Sequence, residues 1–154
     1  MSEEATSDLV ALTRRSIGVE SVDAAVSFYA PDAVWDASPW GMGVFEGHAA
    51  VRGFFDDWRR SYAGIEWEAE EIRDLGNGVT FAVILQKARV AGSSASAQLR
   101  YAAVAEWRDA LIVRNTTYTD VDEGRAAAER RAEERARRCR RRTWRSFSGR
   151  LPPT

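Results

Sequence analysis

The segment from Phe28 to Trp58 constrains the fold of this chain more than any other segment. Its sequence is FYAPDAVWDASPWGMGVFEGHAAVRGFFDDW. Pro31 and Asp32 end a preceding helix, and Ala33 to Ala37 then carries the β-branched and aromatic residues typical of a strand. A loop with three glycines follows, and after it apolar residues recur at helical spacing: Val51, Phe54, Phe55 and Trp58. This order predicts a pocket-forming α+β domain.

The same kind of pattern predicts the other elements. Two further helices precede the segment, from Asp8 to Ile17 and from Val22 to Tyr29. Four strands follow it, and Asn77-Gly78 suits a hairpin turn between the first two: Ile65 to Asp74, Val79 to Ala91, Ala95 to Arg108 and Leu111 to Thr119. Asp120 is placed to cap a last helix. The element order α-α-β-α-β-β-β-β-α predicts three helices against one curved antiparallel sheet, with an apolar cavity between the layers.

Composition and charge separate a domain from an extension. The chain has 154 residues, of which 45% are hydrophobic and six are tryptophan, enough for one domain with a substantial core. Residues 1–124 hold 11 basic and 20 acidic side chains, a net charge of −9, whereas residues 125–154 hold 11 basic and 3 acidic ones, a net charge of +8. We therefore expect a domain over residues 1–124 and an arginine-rich helical or disordered extension over residues 125–154.

The sequence contains no feature of a membrane or secreted protein. No run of about 18 apolar residues occurs, and the amino terminus, MSEEATSDLV, is acidic where a signal peptide is basic and then apolar. We expect a cytoplasmic protein that does not contact membranes. The single cysteine, Cys139, excludes an intramolecular disulfide, and one histidine with no His/Cys pair argues against a metal site. No cofactor is implied, because the glycines lack the context of a nucleotide-binding loop.

Several short motifs span roughly Leu9 to Gly124: Tyr29-Ala30-Pro31-Asp32-Ala33-Val34-Trp35, Gly47 before Ala50-Val51-Arg52, Trp107-Arg108-Asp109 and Tyr118-Thr119-Asp120. They resemble the motifs of the SnoaL-like group in the nuclear transport factor 2-like superfamily. The resemblance implies a cone-shaped α+β fold and a homodimer through the outer face of the sheet. It does not imply one activity, since the superfamily includes isomerases, dehydratases, epoxide hydrolases, polyketide cyclases and non-catalytic binding domains.

The catalytic positions of three relatives fall on residues that cannot perform the chemistry. The base, tyrosine and second aspartate of ketosteroid isomerase correspond to Ala37, a position near Thr13 and one near Val104. The Asp-Arg-Asp triad of limonene epoxide hydrolase falls on Ile84, Gln86 and Thr117, and its water-holding pair falls on Trp35 and Ala37. The aspartate of SnoaL-type cyclases falls near Thr116 or Thr117, and threonine does not exchange protons near neutral pH. These missing groups favour binding over acid/base catalysis.

We therefore predict a binding protein for a small apolar or aromatic molecule. The predicted pocket residues combine aromatic and hydrogen-bonding groups: Trp35, Ser38, Trp40, Ile84, Gln86, Leu99, Tyr101, Asn115 and Thr117. The alternative is a cofactor-independent cyclase, isomerase or dehydratase, with Asp36 as base, Tyr118 or Tyr101 as donor and His48 near the pocket mouth. Asp36 is adjacent to the base position, and in a strand a shift of one residue moves a side chain to the other face.

The arginine-rich extension leaves a further alternative open. Its eleven arginines could bind an acidic protein or RNA, with Trp144 and Phe147 as stacking groups. The other interpretation is a solvated helix that pairs with the acidic domain of its own or a neighbouring subunit, its small residues forming a narrow stripe: Ala128, Ala132, Ala136 and Cys139. Sequence-specific nucleic-acid recognition is not predicted, and only weak contacts of the extension with nucleic acid are expected.

Overall fold

The structure, a computed structural model, describes the backbone of residues 8–148 and the side chains of residues 8–144. The helices in this part of the chain are α1 (Leu9–Ser16), α2 (Val22–Val26), α3 (Gly47–Ser61) and α4 (Val121–Ser148). The strands are β1 (Tyr29–Asp36), β2 (Val44–Glu46), β3 (Tyr62–Asp74), β4 (Val79–Val90), β5 (Ser96–Arg108) and β6 (Leu111–Tyr118). The predicted α+β order is confirmed, with β2 and a short 3-10 helix, Ser38–Trp40, as additions.

The strands form one curved sheet in the order β2-β1-β6-β5-β4-β3. Neighbouring strands are antiparallel except β1 and β6, which run parallel with Trp35 opposite Asn115 and Asp36 opposite Thr116. The expectation of a wholly antiparallel sheet is therefore wrong at this pair. The parallel pair joins the first strand of the chain to the last, so the connection between them includes the whole remaining sheet and α3.

Strand β1 begins earlier than its sequence predicts. Pro31 and Asp32 do not end a helix, because α2 stops at Val26 and the strand starts at Tyr29. Both residues are exposed, and the register between β1 and β6 shifts between Tyr29 and Val34. A proline is tolerated in a strand at such an irregularity, where no ladder hydrogen bond is required of its nitrogen.

Helix α4 packs on the face of the sheet that is turned away from α1 and α3. We call this the outer face; Asp36, Arg114 and Thr116 lie on it, and the opposite face is the inner face. The helix begins where predicted, since Asp120 Oδ1 accepts a hydrogen bond from Glu123 N at 3.0 Å. Small residues of the helix bury apolar side chains of the strands in one cluster: Val79, Phe81, Val83, Ala102, Val104, Ala128 and Ala132.

The approach of α4 to the sheet is close. A Cβ atom at Gly124 would lie 2.8 Å from Ala102 Cβ, so only glycine fits there without a shift of the helix. Arg125 pairs with Glu71 at 2.6 Å, and Arg131 pairs with Glu106 at 3.3 Å. The predicted division of the chain at Gly124 therefore falls inside a helix whose first half belongs to the packed structure.

The second half of α4 extends beyond the sheet. Residues 137–144 are all exposed, including Cys139 and Trp144. Phe147 lies outside the described side chains. Within residues 8–148, every helix is too short or too polar to cross a bilayer.

Candidate functional site

A cavity of about 110 Å³ lies between the inner face of the sheet and the helices α1 to α3. Its wall is built mainly from aromatic rings: Tyr29, Trp35, Trp40, Phe54, Phe55, Trp58, Trp67, Tyr101 and Trp107. These rings come from both layers because α3 presents one apolar face to the sheet and alternate residues of the strands face the helix. The cavity therefore lies between the helices and the sheet, as the predicted fold requires.

The aromatic wall is a connected network of ring contacts. The Trp35 ring centroid lies 4.6 Å from that of Phe54 and also 4.6 Å from that of Phe55. On the other side, the Trp40 centroid lies 5.0 Å from that of Tyr101 and 5.6 Å from that of Trp58. Tilted and edge-on arrangements of this kind are favourable for aromatic pairs. Together they present flat apolar surfaces to the cavity.

Gln86 holds two of these tryptophans in place. Its Oε1 accepts a hydrogen bond from Trp58 Nε1 and another from Trp67 Nε1, each at 2.9 Å. Gln86 is almost fully buried and is not part of the cavity wall. The structure therefore gives this predicted ligand-binding residue a supporting position behind the wall.

The polar groups of the wall are mostly paired with one another. Trp107 Nε1 donates to Thr80 Oγ1 at 2.8 Å, and Trp35 Nε1 lies 3.4 Å from its acceptor, Thr117 Oγ1. Asn115 differs from these residues. Its Nδ2 donates to the hydroxyl of Tyr29 at 2.8 Å, but its Oδ1 is buried and has no hydrogen-bond partner.

The residues that line the cavity include no Asp, Glu, His, Lys or Cys within the described part of the chain. Their titratable groups are Tyr29, Tyr101 and Arg59. Burial raises the pKa of both tyrosines well above the ordinary value, so both are neutral phenols near neutral pH. A proton acceptor that works near neutral pH is therefore missing from the wall.

Asp36 lies on the outer face and is held by two neighbours. Its Oδ1 accepts hydrogen bonds from the backbone and hydroxyl of Ser38, and its Oδ2 pairs with Arg114 at 2.6 Å. Burial of the Asp36 carboxyl raises its pKa, but the hydrogen bonds from Ser38 and the pairing with Arg114 outweigh it, and the net pKa is lowered. The carboxylate thus organises the turn after β1, as an aspartate before a serine commonly does.

His48 and Tyr118 are also outside the cavity wall, whereas Tyr101, the alternative donor, lines it. His48 is half-buried at the start of α3, where its Nε2 lies 2.7 Å from the backbone oxygen of Tyr29. Tyr118 packs under α4 with the apolar cluster of the outer face. The structure does not bring Asp36, His48 and Tyr118 together at the cavity, and their catalytic role stays a prediction.

Six of the nine predicted ligand-binding residues line the cavity: Trp35, Trp40, Ile84, Tyr101, Asn115 and Thr117. Ser38 is exposed and bonded to Asp36, and Leu99 is half-buried outside the wall. Other residues that line the cavity were not predicted from the sequence as part of the site, among them Tyr29, Phe54, Phe55, Trp58, Arg59 and Trp67. The spacing on α3 did indicate an inward face, but a helix face that lines a cavity has the same pattern as one that fills a core.

A sequence comparison identifies the family. A family model for the SnoaL-like domain matches residues 13–115. The chain belongs to the SnoaL-like domain family. The part of this SnoaL-like chain that is matched includes the second half of α1, α2, α3, β1 to β5 and most of β6, and hence the whole cavity wall except Thr117. No curated protein matches the chain by sequence.

Solved structures share the fold at low sequence identity. A hypothetical protein of ketosteroid isomerase-like fold from Catenulispora acidiphila, in complex with trimethylamine, has a TM-score of 0.64 at 11% identity, over 80% of this chain and 93% of its own. An NTF2-like protein of unknown function from Burkholderia pseudomallei has a TM-score of 0.62 at 20% identity, over 77% and 95%. TerC, co-crystallised with polyporic acid, has a TM-score of 0.57 at 16% identity, over 75% and 89%. These similarities establish the NTF2-like fold of this SnoaL-like chain.

Proposed function

We propose that this SnoaL-like protein binds a small, mostly aromatic molecule in the cavity on the inner face of the sheet. The observation that carries the proposal is the composition of the wall, in which the described residues supply nine aromatic side chains, a few polar groups and no carboxylate or imidazole. A concave, mainly apolar site with a few placed polar groups is the usual form of a small-molecule site.

The cavity volume limits the size of the ligand. A cavity of about 110 Å³ is somewhat smaller than an engineered apolar cavity of about 150 Å³ that binds benzene. A single aromatic ring with small substituents therefore suits it best. Two relatives of the same fold were crystallised with small organic molecules, trimethylamine and polyporic acid, which supports the use of this fold for such ligands.

The enzyme alternative receives less support from the geometry. A cyclase, isomerase or dehydratase without a cofactor needs a group that takes and returns a proton at the substrate. Asp36 is the nearest candidate in sequence, but its carboxylate is bonded to Ser38 and Arg114 on the outer face. We therefore place binding first.

Calorimetric titration with toluene tests the proposal. We expect saturable binding to the unmodified protein and its loss in Ala103→Phe, because Ala103 lines the cavity and the added ring would occupy it. Ala97→Phe is the matched control, since Ala97 lies on the same strand and face but outside the wall. The proposal fails if no single-ring aromatic probe binds the unmodified protein, or if Ala103→Phe binds toluene as tightly as Ala97→Phe does.

A second candidate function is supported by the exposed end of α4. Arg137 pairs weakly with Glu133, at 3.9 Å, and Arg138, Arg140, Arg141 and Arg142 form no ion pair with a described residue. Such a segment could bind an acidic protein or RNA, as the sequence suggests. Salt-sensitive binding of an acidic protein or RNA that disappears when Arg138, Arg140, Arg141 and Arg142 are replaced by glutamine would support the adaptor function. Equal binding by the unmodified protein and this fourfold variant would exclude it.

The homodimer also remains a proposal. The surface implied for it is the outer face, and α4 already covers the part formed by β4 and β5. A dimer of this chain would therefore have to include α4 in its interface or use the remaining strands. Sedimentation velocity of the unmodified protein distinguishes a dimer from a monomer.

A further inference from the structure

Two buried polar atoms without a partner belong to residues of the cavity wall. They are Oδ1 of Asn115 and Nε of Arg59. A third such atom, Nε of Arg114, belongs to the outer face. Buried polar groups in folded proteins are nearly always paired, because an unpaired group loses its hydrogen bonds to water without replacement. Because both atoms are enclosed by protein, side chains of the wall must shift before a ligand can pair with them, and the two atoms indicate what such a ligand would supply.

Arg59 carries a positive charge that forms no ion pair with a described carboxylate. Its two terminal nitrogens donate to the backbone oxygens of Glu20 and Val19, both at 2.7 Å, and its guanidinium lies 5.4 Å from the centre of the Trp67 ring. Carbonyl oxygens accept hydrogen bonds but carry no net charge. Within the described part of the chain, the ion pairs are made by other arginines. A half-buried guanidinium in this state favours an anionic partner.

Arg59 also lies between the cavity and the surface. Gly18, Val19, Arg59 and Trp67 line both the cavity and a second pocket, which contains the exposed residues Glu20, Gly64 and Glu66. A charged group bound at Arg59 would therefore sit near the entrance, and an attached ring would extend into the aromatic interior. Glu20 and Glu66 line the second pocket together with Arg59 and oppose an anion there, so the carboxylate must be held by direct contact with Arg59. The more distant negative charges of the domain, beyond about 8 Å, are largely screened at physiological salt.

Asn115 determines which group the ligand needs at the second unpaired atom. Its amide nitrogen is already used by the Tyr29 hydroxyl, so the open atom is an acceptor and needs an O–H or N–H group. Asn115 is 9% exposed, and this acceptor has no access to bulk water. The ligand must therefore carry a donor as well as an anion.

We propose, on the basis of the binding function above, that the ligand is a single-ring aromatic carboxylate with a hydroxyl or amino substituent. The ring lies among Trp35, Phe54 and the other aromatic side chains of the wall. The carboxylate accepts a hydrogen bond from Arg59 Nε, and the substituent donates one to Asn115 Oδ1. Both groups that the fold leaves unpaired are then satisfied by one molecule.

Four single-ring probes separate the contributions in calorimetric titrations of the full chain. Toluene has neither group, phenol has the donor, benzoate has the carboxylate and para-hydroxybenzoate has both. We expect para-hydroxybenzoate to bind tightest. Arg59→Met should lower the affinity for benzoate and for para-hydroxybenzoate about tenfold and leave the affinity for toluene and phenol unchanged. Arg59→Lys should retain part of the affinity for the two carboxylates. Asn115→Leu and Asn115→Ala should lower the affinity for phenol and para-hydroxybenzoate about fivefold to tenfold and leave the affinity for benzoate unchanged.

The outcomes distinguish this inference from the function on which it rests. If toluene binds as tightly as para-hydroxybenzoate, or if the variants weaken all four probes equally, the ligand class is wrong and the cavity remains a binding site. If none of the probes binds the unmodified protein, the binding function itself is wrong and the ligand class with it. Arg59→Lys and Asn115→Ala keep the test decisive if a first variant does not fold, which circular dichroism would show.

Discussion

On the inner face of the β1–β6 pair, Trp35 and Asn115 are buried and neutral, whereas on the outer face Asp36 and Arg114 form an ion pair. The two sets are adjacent in sequence, since Asp36 follows Trp35 and Asn115 follows Arg114. Successive side chains of a strand point to opposite faces, so this spacing is sufficient to keep the ion pair out of the cavity. The comparison shows that a carboxylate next to the expected base position can still be remote from the site.

The two faces also differ in what covers them. The inner face meets α1 and α3 across a cavity lined by aromatic rings, and the outer face meets α4 directly through small residues. Small side chains let α4 approach the outer face until Gly124 meets Ala102, whereas large aromatic side chains lie between the layers of the inner face and line a cavity there. Four substitutions test this contrast, beginning with the one that should have the largest effect.

A charge at Ala128 should break the contact between α4 and the outer face. Ala128 is fully buried in the apolar cluster, so Ala128→Glu should lower the free energy of unfolding by about 3 kcal/mol or more. Ala126→Glu is the control on the exposed side of the same helix and should change it by less than about 0.5 kcal/mol. Equal losses in urea unfolding would mean that α4 does not pack there.

Removal of the shared acceptor should destabilise the inner face. Gln86→Leu leaves two indole N–H groups without their partner, and we expect a loss of about 2–4 kcal/mol in the free energy of unfolding. Gln98→Leu is the control, since Gln98 is exposed on β5. Urea unfolding measures both. A loss no greater than that of the control would show that Trp58 and Trp67 do not depend on Gln86.

Asp36→Asn should affect stability and not the cavity. The side chain of Asp36 is 13% exposed and paired with Arg114, so we expect a loss of about 1–3 kcal/mol near neutral pH. The pKa of Asp36 is lowered in the folded protein, so this contribution is present above the unfolded pKa of about 3.9 and is lost as pH falls through the folded pKa.

Unfolding near pH 7 and near pH 3 measures this difference. The difference in the free energy of unfolding between Asp36→Asn and the unmodified protein should be largest at neutral pH and should become smaller in acid. Toluene affinity should stay the same in both proteins. A large loss of ligand affinity together with unchanged stability would instead place Asp36 at the binding site.

The smallest effect on stability is expected at the exposed end of α4. Replacement of Arg138, Arg140, Arg141 and Arg142 by glutamine should leave the urea midpoint unchanged, because these side chains are exposed and unpaired with any described residue. Arg131→Gln is the comparison in the packed half and should lower the midpoint, because its partner Glu106 has a side chain that is only 13% exposed. A lower midpoint for the fourfold variant would mean that the end of the helix is packed.

The sequence was sufficient for most of the fold and for six of the residues that line the site. Periodicity identified α3 and the long strands, and the family motifs fixed their arrangement. The parallel pairing of β1 with β6 was missed, because strand direction depends on the path of the chain rather than on local residues. Gln86 was assigned to the right face, but only the three-dimensional packing shows that its carbonyl is used by two tryptophans.

The role of Arg59 could not be predicted for a similar reason. On α3 it follows Trp58 and precedes Arg60, and its charge suggested a side chain directed to water. The loop between α1 and α2 instead supplies two carbonyl oxygens that hold the guanidinium at the cavity. Contacts between elements distant in sequence decide such positions, and helical spacing does not record them.

Tryptophan fluorescence tests the central claim, that the ligand site is the cavity of the inner face. Five of the six tryptophans line the cavity, and the sixth, Trp144, lies on the exposed end of α4. In Trp144→Phe, all tryptophan emission therefore comes from the cavity wall. Titration with nitrobenzene, a single-ring quencher, should give saturable quenching that Ala103→Phe abolishes and Ala97→Phe leaves intact. Quenching that rises linearly without saturation, and to the same extent in the Ala103→Phe and Ala97→Phe proteins, would contradict the account.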